Sequence, residues 1–205
     1  MTTREAENGN VVTTSVSLLN DFNRAWREYR KDFPVAMKLR KLFKSRLQAA
    51  STTELDRIAS VCKENAAVTS CSGVFGAPNV IVVCAAAIRC VQFHKLFRRH
   101  GLRSAKLFAK HMKIADQQRF LAAHTVDTAV GTPARLCELA RSGHLKLSTG
   151  ALSDVVLDLA YTDAKQRTLL CAQNGRDEML TFMQEHVLPA IAGDAGDGRT
   201  RVIVA

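Results

Sequence analysis

From Val16 onward the chain sets apolar residues at a helical period. Leu18, Leu19, Phe22, Trp26 and Tyr29 or Arg30 fall near one face, with charged side chains between them. Residues 1–15 are polar and show no period, which predicts a disordered start. Phe33-Pro34 ends the first helix, because the residue before a proline avoids helical angles. A second helix is predicted over Val35 to Ala50, with Leu39, Leu42, Phe43 and Leu47 on one side and Lys38, Arg40, Lys41, Lys44 and Arg46 on the other. Ser51-x-x-Glu54 is a capping-box signal for a third helix reaching about Ala67, with Leu55, Ile58 and Cys62 as its buried stripe. At this spacing the aromatic residues Phe22, Trp26, Tyr29, Phe33 and Phe43 read as core packing in preference to a base-stacking surface.

After the loop Ser70 to Pro78 the period changes. Asn79 to Cys84 is a continuous apolar, β-branched run, the pattern of a central parallel strand. Ala85 to Arg99 follows as a helix, stopped by His100-Gly101. A short strand is predicted at Ala105 to Ala109, then a helix over Ile114 to His124 with Asp116 as its cap. The strand Val126 to Val130 ends at Gly131, where Thr132 caps a helix and Pro133 fits its first position. That helix runs to Ser142 and stops at Gly143. A strand over 153–159 and a closing helix from Glu178 to Ile191 complete the pattern, the helix turning Leu180, Met183, Val187 and Ile191 inward.

Alternating strands and helices imply an α/β fold, a three-layer, doubly wound, mostly parallel sheet. The expected organisation is a disordered N-terminus (1–15), a helical extension (16–69), the α/β domain (70–192) and a tail (193–205). Val202-Ile203-Val204 in that tail is a candidate edge strand.

Three segments together carry a family resemblance. They are Lys106 to His111 (KLFAKH), Gly131 to Arg135 (GTPAR), and a strand-ending Asp158 followed by Asp163, Lys165 and Arg167. The GTPAR turn resembles a motif of the first RecA-like domain of DEAD-box RNA helicases, and Asp158-Leu159-Ala160-Tyr161 stands where those enzymes carry Asp-Glu-Ala-Asp. All three segments, over roughly residues 78 to 190, resemble the CMS (complementation of Mcm suppressor) family of small-subunit processome proteins, a degenerate relative of that helicase domain. The resemblance implies a single RecA-like domain, a nucleolar protein of the pre-ribosome, and contacts with pre-ribosomal RNA and with other processome proteins.

The departures from the helicase pattern decide what chemistry to expect. No glycine in the chain is followed by lysine, so the G-x-x-x-x-G-K-[ST] loop that cradles phosphates is missing, and Gly73 and Gly76 in the 70–78 loop cannot replace it. Leu159 stands where a glutamate would position the attacking water, and Leu cannot accept a proton. Asp158 is then expected to be structural, capping the Asp163 turn or pairing with Lys165 or Arg167. A non-enzymatic domain is expected, with no catalytic residues, cofactor, metal site or small-molecule substrate. The alternative is an RNA-dependent ATPase with an unusual phosphate loop at 70–78. A Rossmann-type methyltransferase would need a glycine-rich turn, which Cys84-Ala85-Ala86-Ala87 does not offer.

Charge adds where a partner would sit. The net charge is +10, with 29 Lys and Arg against 19 Asp and Glu, and residues 65–115 carry eight basic side chains and no acidic one. A basic half beside a slightly acidic C-terminal half suits phosphate on one side and protein on the other. The candidate RNA-contacting residues are Lys106, Lys110, His111 and Lys113 in the KLFAKHMK segment, with Thr132 and Arg135 at the GTPAR helix start, where free N–H groups and the helix dipole favour an anion. Arg89 joins them because it lies about two positions from the place of an RNA-contacting turn in the helicases. Arg135 has a second reading, as a surface partner of Glu138. The six cysteines form no C-x-x-C pair and read as buried free thiols. No apolar run reaches membrane-spanning length, and the N-terminus has no secretory pattern, so a soluble intracellular protein with no membrane partner is expected.

Overall fold

The computed structural model describes residues 15–32, 35, 37–49, 60, 64, 73–110, 112–171, 175–193 and 200–205. Two helices lead, α1 (Ser15–Asp32) and α2 (Met37–Arg46), and a short strand β1 (Leu47–Ala49) follows directly. Then come β2 (Val80–Val83), α3 (Ala87–Arg99), β3 (Ser104–Leu107), α4 (Ile114–Ala123), β4 (Thr128–Gly131), α5 (Pro133–Arg141) and β5 (Asp154–Leu157). The chain closes with α6 (Arg176–Phe182), a π-helical stretch (Met183–Val187), α7 (Leu188–Ala192) and β6 (Arg201–Val204).

The strands form one sheet in the order β1-β6-β5-β2-β4-β3, every neighbouring pair parallel. Side chains alternate between two apolar layers, as the period of a strand requires. Ile81, Val83, Ala129, Val155, Leu157, Val202 and Val204 face a core shared with Phe22, Trp26, Phe43, Leu121, Leu136 and Phe182. Val80, Val82, Val130 and Val156 face the other core, built on Cys90, Phe93, Leu96 and Phe97 of α3. This is the three-layer, doubly wound parallel α/β fold that the pattern predicts. Burial on both faces explains why β2 reads as an unbroken apolar run. Each fully buried Phe or Val in these layers contributes roughly 1.5–3 kcal/mol relative to exposure.

Several local expectations are corrected. The second helix stops at Arg46, and Leu47–Ala49 is a strand, because pairing with β6 outweighs a helical pattern that continues through Leu47. Residues 15–49, read as an extension, therefore supply two helices and a strand to the main sheet. Val202–Val204 is no edge strand: β6 lies between β1 and β5. Asp116 does not cap α4; Lys113 holds the cap position and Asp116 pairs with Arg119. Of the third predicted helix only Ser60 and Glu64 are described, both helical, and the rest of it lies outside the described residues, as do Phe33 and Pro34. All four inward positions of the closing helix, Leu180, Met183, Val187 and Ile191, are buried.

The 70–78 loop also changes meaning. Its described part enters β2 at the amino-terminal edge of the sheet: Gly76 N–H donates to the His124 carbonyl (3.2 Å) and Asn79 N–H to that of Asp127 (3.0 Å). A phosphate loop follows the carboxyl end of a strand, at the opposite edge. Gly76 has φ +73°, and a Cβ there would collide with the backbone carbonyl of His144, so this glycine serves a tight turn.

Candidate nucleic-acid interface

The register brings the ends of the inner strands level. Val83 lies opposite both Gly131 and Leu157, and Leu107 lies opposite Gly131. The first residues beyond the strands, Cys84, Phe108, Thr132 and Asp158, thus share the carboxyl edge, where ligands gather in open parallel sheets. Both GTPAR and KLFAKH leave the sheet here.

Asp158 is the buried acid of this edge, 1% exposed. Its two oxygens accept from one guanidinium: Arg89 Nε donates to Oδ2 at 2.8 Å and Nη2 to Oδ1 at 3.0 Å. Burial pushes the carboxyl up, and the Arg89 bonds offset only part of that rise. Arg89 is further confined by the rings of Phe93 and Tyr161, each centred 5.1 Å from its guanidinium carbon, and by Gln92. Asp158 therefore pairs with Arg89, not with Lys165 or Arg167. Arg89, proposed from sequence as an RNA ligand, has its charge taken up inside the domain. Leu159, next in the chain, is fully buried.

Asp163 makes its own turn instead. One oxygen accepts from the backbone N–H groups of Lys165 (2.8 Å) and Arg167 (3.0 Å), the other from the Arg167 guanidinium at 2.7 Å. The Arg167 bonds and those backbone donors hold this carboxyl well below the usual carboxylate range. The Asp163-x-Lys165-x-Arg167 pattern is thus a self-bonded turn, with Lys165 exposed on it.

Arg135 ties the two motifs together. Its Nη1 donates to the Gln117 side-chain carbonyl (2.6 Å) and to the Met112 backbone carbonyl (3.3 Å), while Nε pairs with Glu138 at 3.0 Å. The Gln117 amide in turn donates to the carbonyls of Lys106 (2.9 Å) and Phe108 (3.1 Å). The Glu138 pairing expected from sequence is present. Yet the Arg135 side chain is only 11% exposed, and its other donors shape the loop that follows β3. Thr132 occupies the cap position of α5 without a side-chain cap bond, so its hydroxyl does not close the helix start. Gly131 is forced by space: a Cβ would lie 2.5 Å from the Leu107 carbonyl and 2.8 Å from the Leu136 side chain.

Of the basic residues of this segment, Lys106 on β3 and Lys110 and Lys113 after it are exposed, and no carboxylate pairs with any of them among the described residues. His111 lies outside the described residues. His94, on α3, belongs to the same charged neighbourhood: burial and the charges of Lys106 and Arg98 push its imidazole below the ordinary 6.5. Sequence reasoning missed Gln117, a buried amide that no local pattern distinguishes from a surface glutamine. Tyr161, which closes over Arg89, was equally silent.

The family model described as U3-containing 90S pre-ribosomal complex subunit, CMS1, matches residues 52–204. The chain is 37% identical over 97 residues to Protein CMS1 of Chaetomium thermophilum, covering 46% of this chain and 38% of that protein. It is 33% identical over 112 residues to Protein CMSS1 of Homo sapiens, covering 53% of this chain and 39% of that one. The chain thus spans about two fifths of the length of these relatives. Among solved structures, a hypothetical ATP-dependent RNA helicase from Sulfolobus tokodaii aligns over 89% of this chain and 50% of its own, with a TM-score of 0.47 at 13% identity.

Proposed function

Since the chain belongs to the CMS1 family of U3-containing 90S pre-ribosomal complex subunits, we propose that it works without turnover, as a scaffold and RNA-contacting subunit of the nucleolar small-subunit processome in pre-rRNA processing. The observation that carries the non-enzymatic part is the Arg89–Asp158 pair. Nucleotide hydrolysis at such a strand end needs a carboxylate free to order the metal's water shell and a second group to aim the attacking water. Here one guanidinium takes both Asp158 oxygens, and the neighbouring Leu159 is apolar and buried. An internal cation stands where a metal ion would have to compete.

RNA contact falls to Lys106 on β3 and to the exposed lysines that follow that strand. Arg135 donates to the Met112 carbonyl and Gln117 to those of Lys106 and Phe108, so Lys106, Lys110 and Lys113 meet phosphate beside backbone that is held from behind. Such contacts position RNA and do not read bases. Protein neighbours are met by the C-terminal half, where residues 116–205 carry eleven acidic against nine basic side chains. Cross-linking of the chain within purified pre-ribosomal particles tests the reading. RNA cross-linked to the chain is expected; recovery of protein partners with no cross-linked RNA would reject it.

A further inference from the structure

A cleft of about 940 Å³ opens between α1 and α2, lined by none of the carboxyl-edge residues. Arg24, Arg27 and Arg30 enter it from α1, and Arg40, Lys41 and Lys44 from α2. Among the described residues, the one acid lining it, Asp21, is paired with Arg24. The arginines of α1 recur every three residues, which sets them along one side of the helix.

Arg30 is held in place at the cleft wall and feels the charge of two of the others. Arg30 donates to the Trp26 carbonyl at 3.3 Å and lies 6.0 Å from the Trp26 ring centre, so its guanidinium is fixed at the cleft wall. Burial, and then the neighbouring charges of Arg40 on α2 and Arg27 on α1, lower the pKa of Arg30. An anion along the cleft relieves that repulsion.

The floor tells what kind of anion fits. Trp26 and Phe43 form it, their ring centres 5.1 Å apart, but they are 5% and 2% exposed and belong to the sheet's core. Among the described lining residues no aromatic face is offered for base stacking, and Met37 is the one large apolar side chain exposed there, too little to seat the several anchor residues of a peptide helix. What remains is a basic wall rich in arginine, whose planar fork matches phosphate better than lysine does. We propose that the α1–α2 cleft binds the phosphate backbone of a single RNA strand without reading its bases. The inference rests on the RNA-contacting reading above and gives it a second surface.

The test measures binding of a fluorescent oligouridylate to the full chain over a range of salt concentrations. Arg27, Arg40 and Lys44 are exposed, so Arg27→Glu/Arg40→Glu/Lys44→Glu is the cleft variant and the milder Arg27→Gln/Arg40→Gln/Lys44→Gln guards against misfolding. Lys106→Glu/Lys110→Glu/Lys113→Glu is the loop variant. Both cleft variants should bind at least tenfold more weakly, with a log–log salt slope shallower by about 0.7 for each phosphate no longer neutralised. Unchanged affinity and slope in both cleft variants, with weaker binding in the loop variant, would overturn the cleft and leave the RNA reading standing. Absence of RNA binding by the unaltered chain would overturn both. Tighter, cleft-dependent binding of an oligoglutamate of matched charge would also overturn the proposal, in favour of an acidic protein segment.

Discussion

Arg89 and Asp158 show how a single pair can set the character of a strand end. The carboxylate lies at the carboxyl end of β5, and the guanidinium is one turn into α3, held between Phe93 and Tyr161. A pair this buried is costly to break from one side, because the remaining charge keeps its desolvation penalty and loses its partner. Arg89→Met or Asp158→Leu alone should each destabilise the domain by about 3–5 kcal/mol. The double substitution, which leaves no orphaned charge, should recover most of that loss, as urea denaturation of the four proteins would show. Single substitutions with no measurable effect would mean that the pair is solvated and that Asp158 is available to other cations.

At the level of elements, the turn from β4 into α5 is where local sequence and packing agree most closely. Gly131 lets the β3 backbone and Leu136 approach, and Thr132 N–H donates to the Leu107 carbonyl at 3.1 Å. Gly131→Ala should therefore separate β4 from β3 locally and lower stability by roughly 1–3 kcal/mol, the usual cost of overpacking. Amide hydrogen exchange should speed up in β3 and at Thr132 before it does in β2. This turn was legible in the sequence, because Gly-Thr-Pro punctuates a β-branched run with residues suited to a strand end and a helix start. The runs of β2 and β5 were legible for the same reason. β1 was not, since Leu47-Gln48-Ala49 continues the period of α2 and becomes a strand only by lying beside β6. β6 itself was read as edge or tail because it follows a Gly- and Asp-rich segment. The site was less legible than the fold: Arg89 meets Asp158 across 69 residues, and Arg135 turns toward Gln117, contacts that neither spacing nor motif encodes.

At the level of the whole molecule, charge and burial together set how the domain responds to pH. His94 is held below 6.5 by burial, Lys106 and Arg98, and His186 by burial and Arg141, against the opposing pull of Glu185. A histidine with a depressed folded pKa stabilises the protein above its unfolded value and loses that contribution as pH falls below it. Stability should therefore decline from about pH 6.5 downward, and the urea midpoint at pH 5.5 should lie below that at pH 7.5. His94→Gln/His186→Gln should flatten this difference, whereas an equal drop in that variant would assign the effect elsewhere. Asp163, held low by Arg167 and its backbone donors, adds a further loss only under more acid conditions, below the ordinary carboxylate value of 3.8.

We propose that the domain, with the Arg89–Asp158 pair closed on itself at the sheet edge, does not turn over nucleotide and uses its basic side chains to hold RNA. Phosphate release by the purified chain, measured with Mg-ATP at saturating RNA, tests this most directly. The predicted result is a rate equal to that without protein, unchanged by adding RNA. Sustained, RNA-stimulated release that disappears in Asp158→Asn would contradict it.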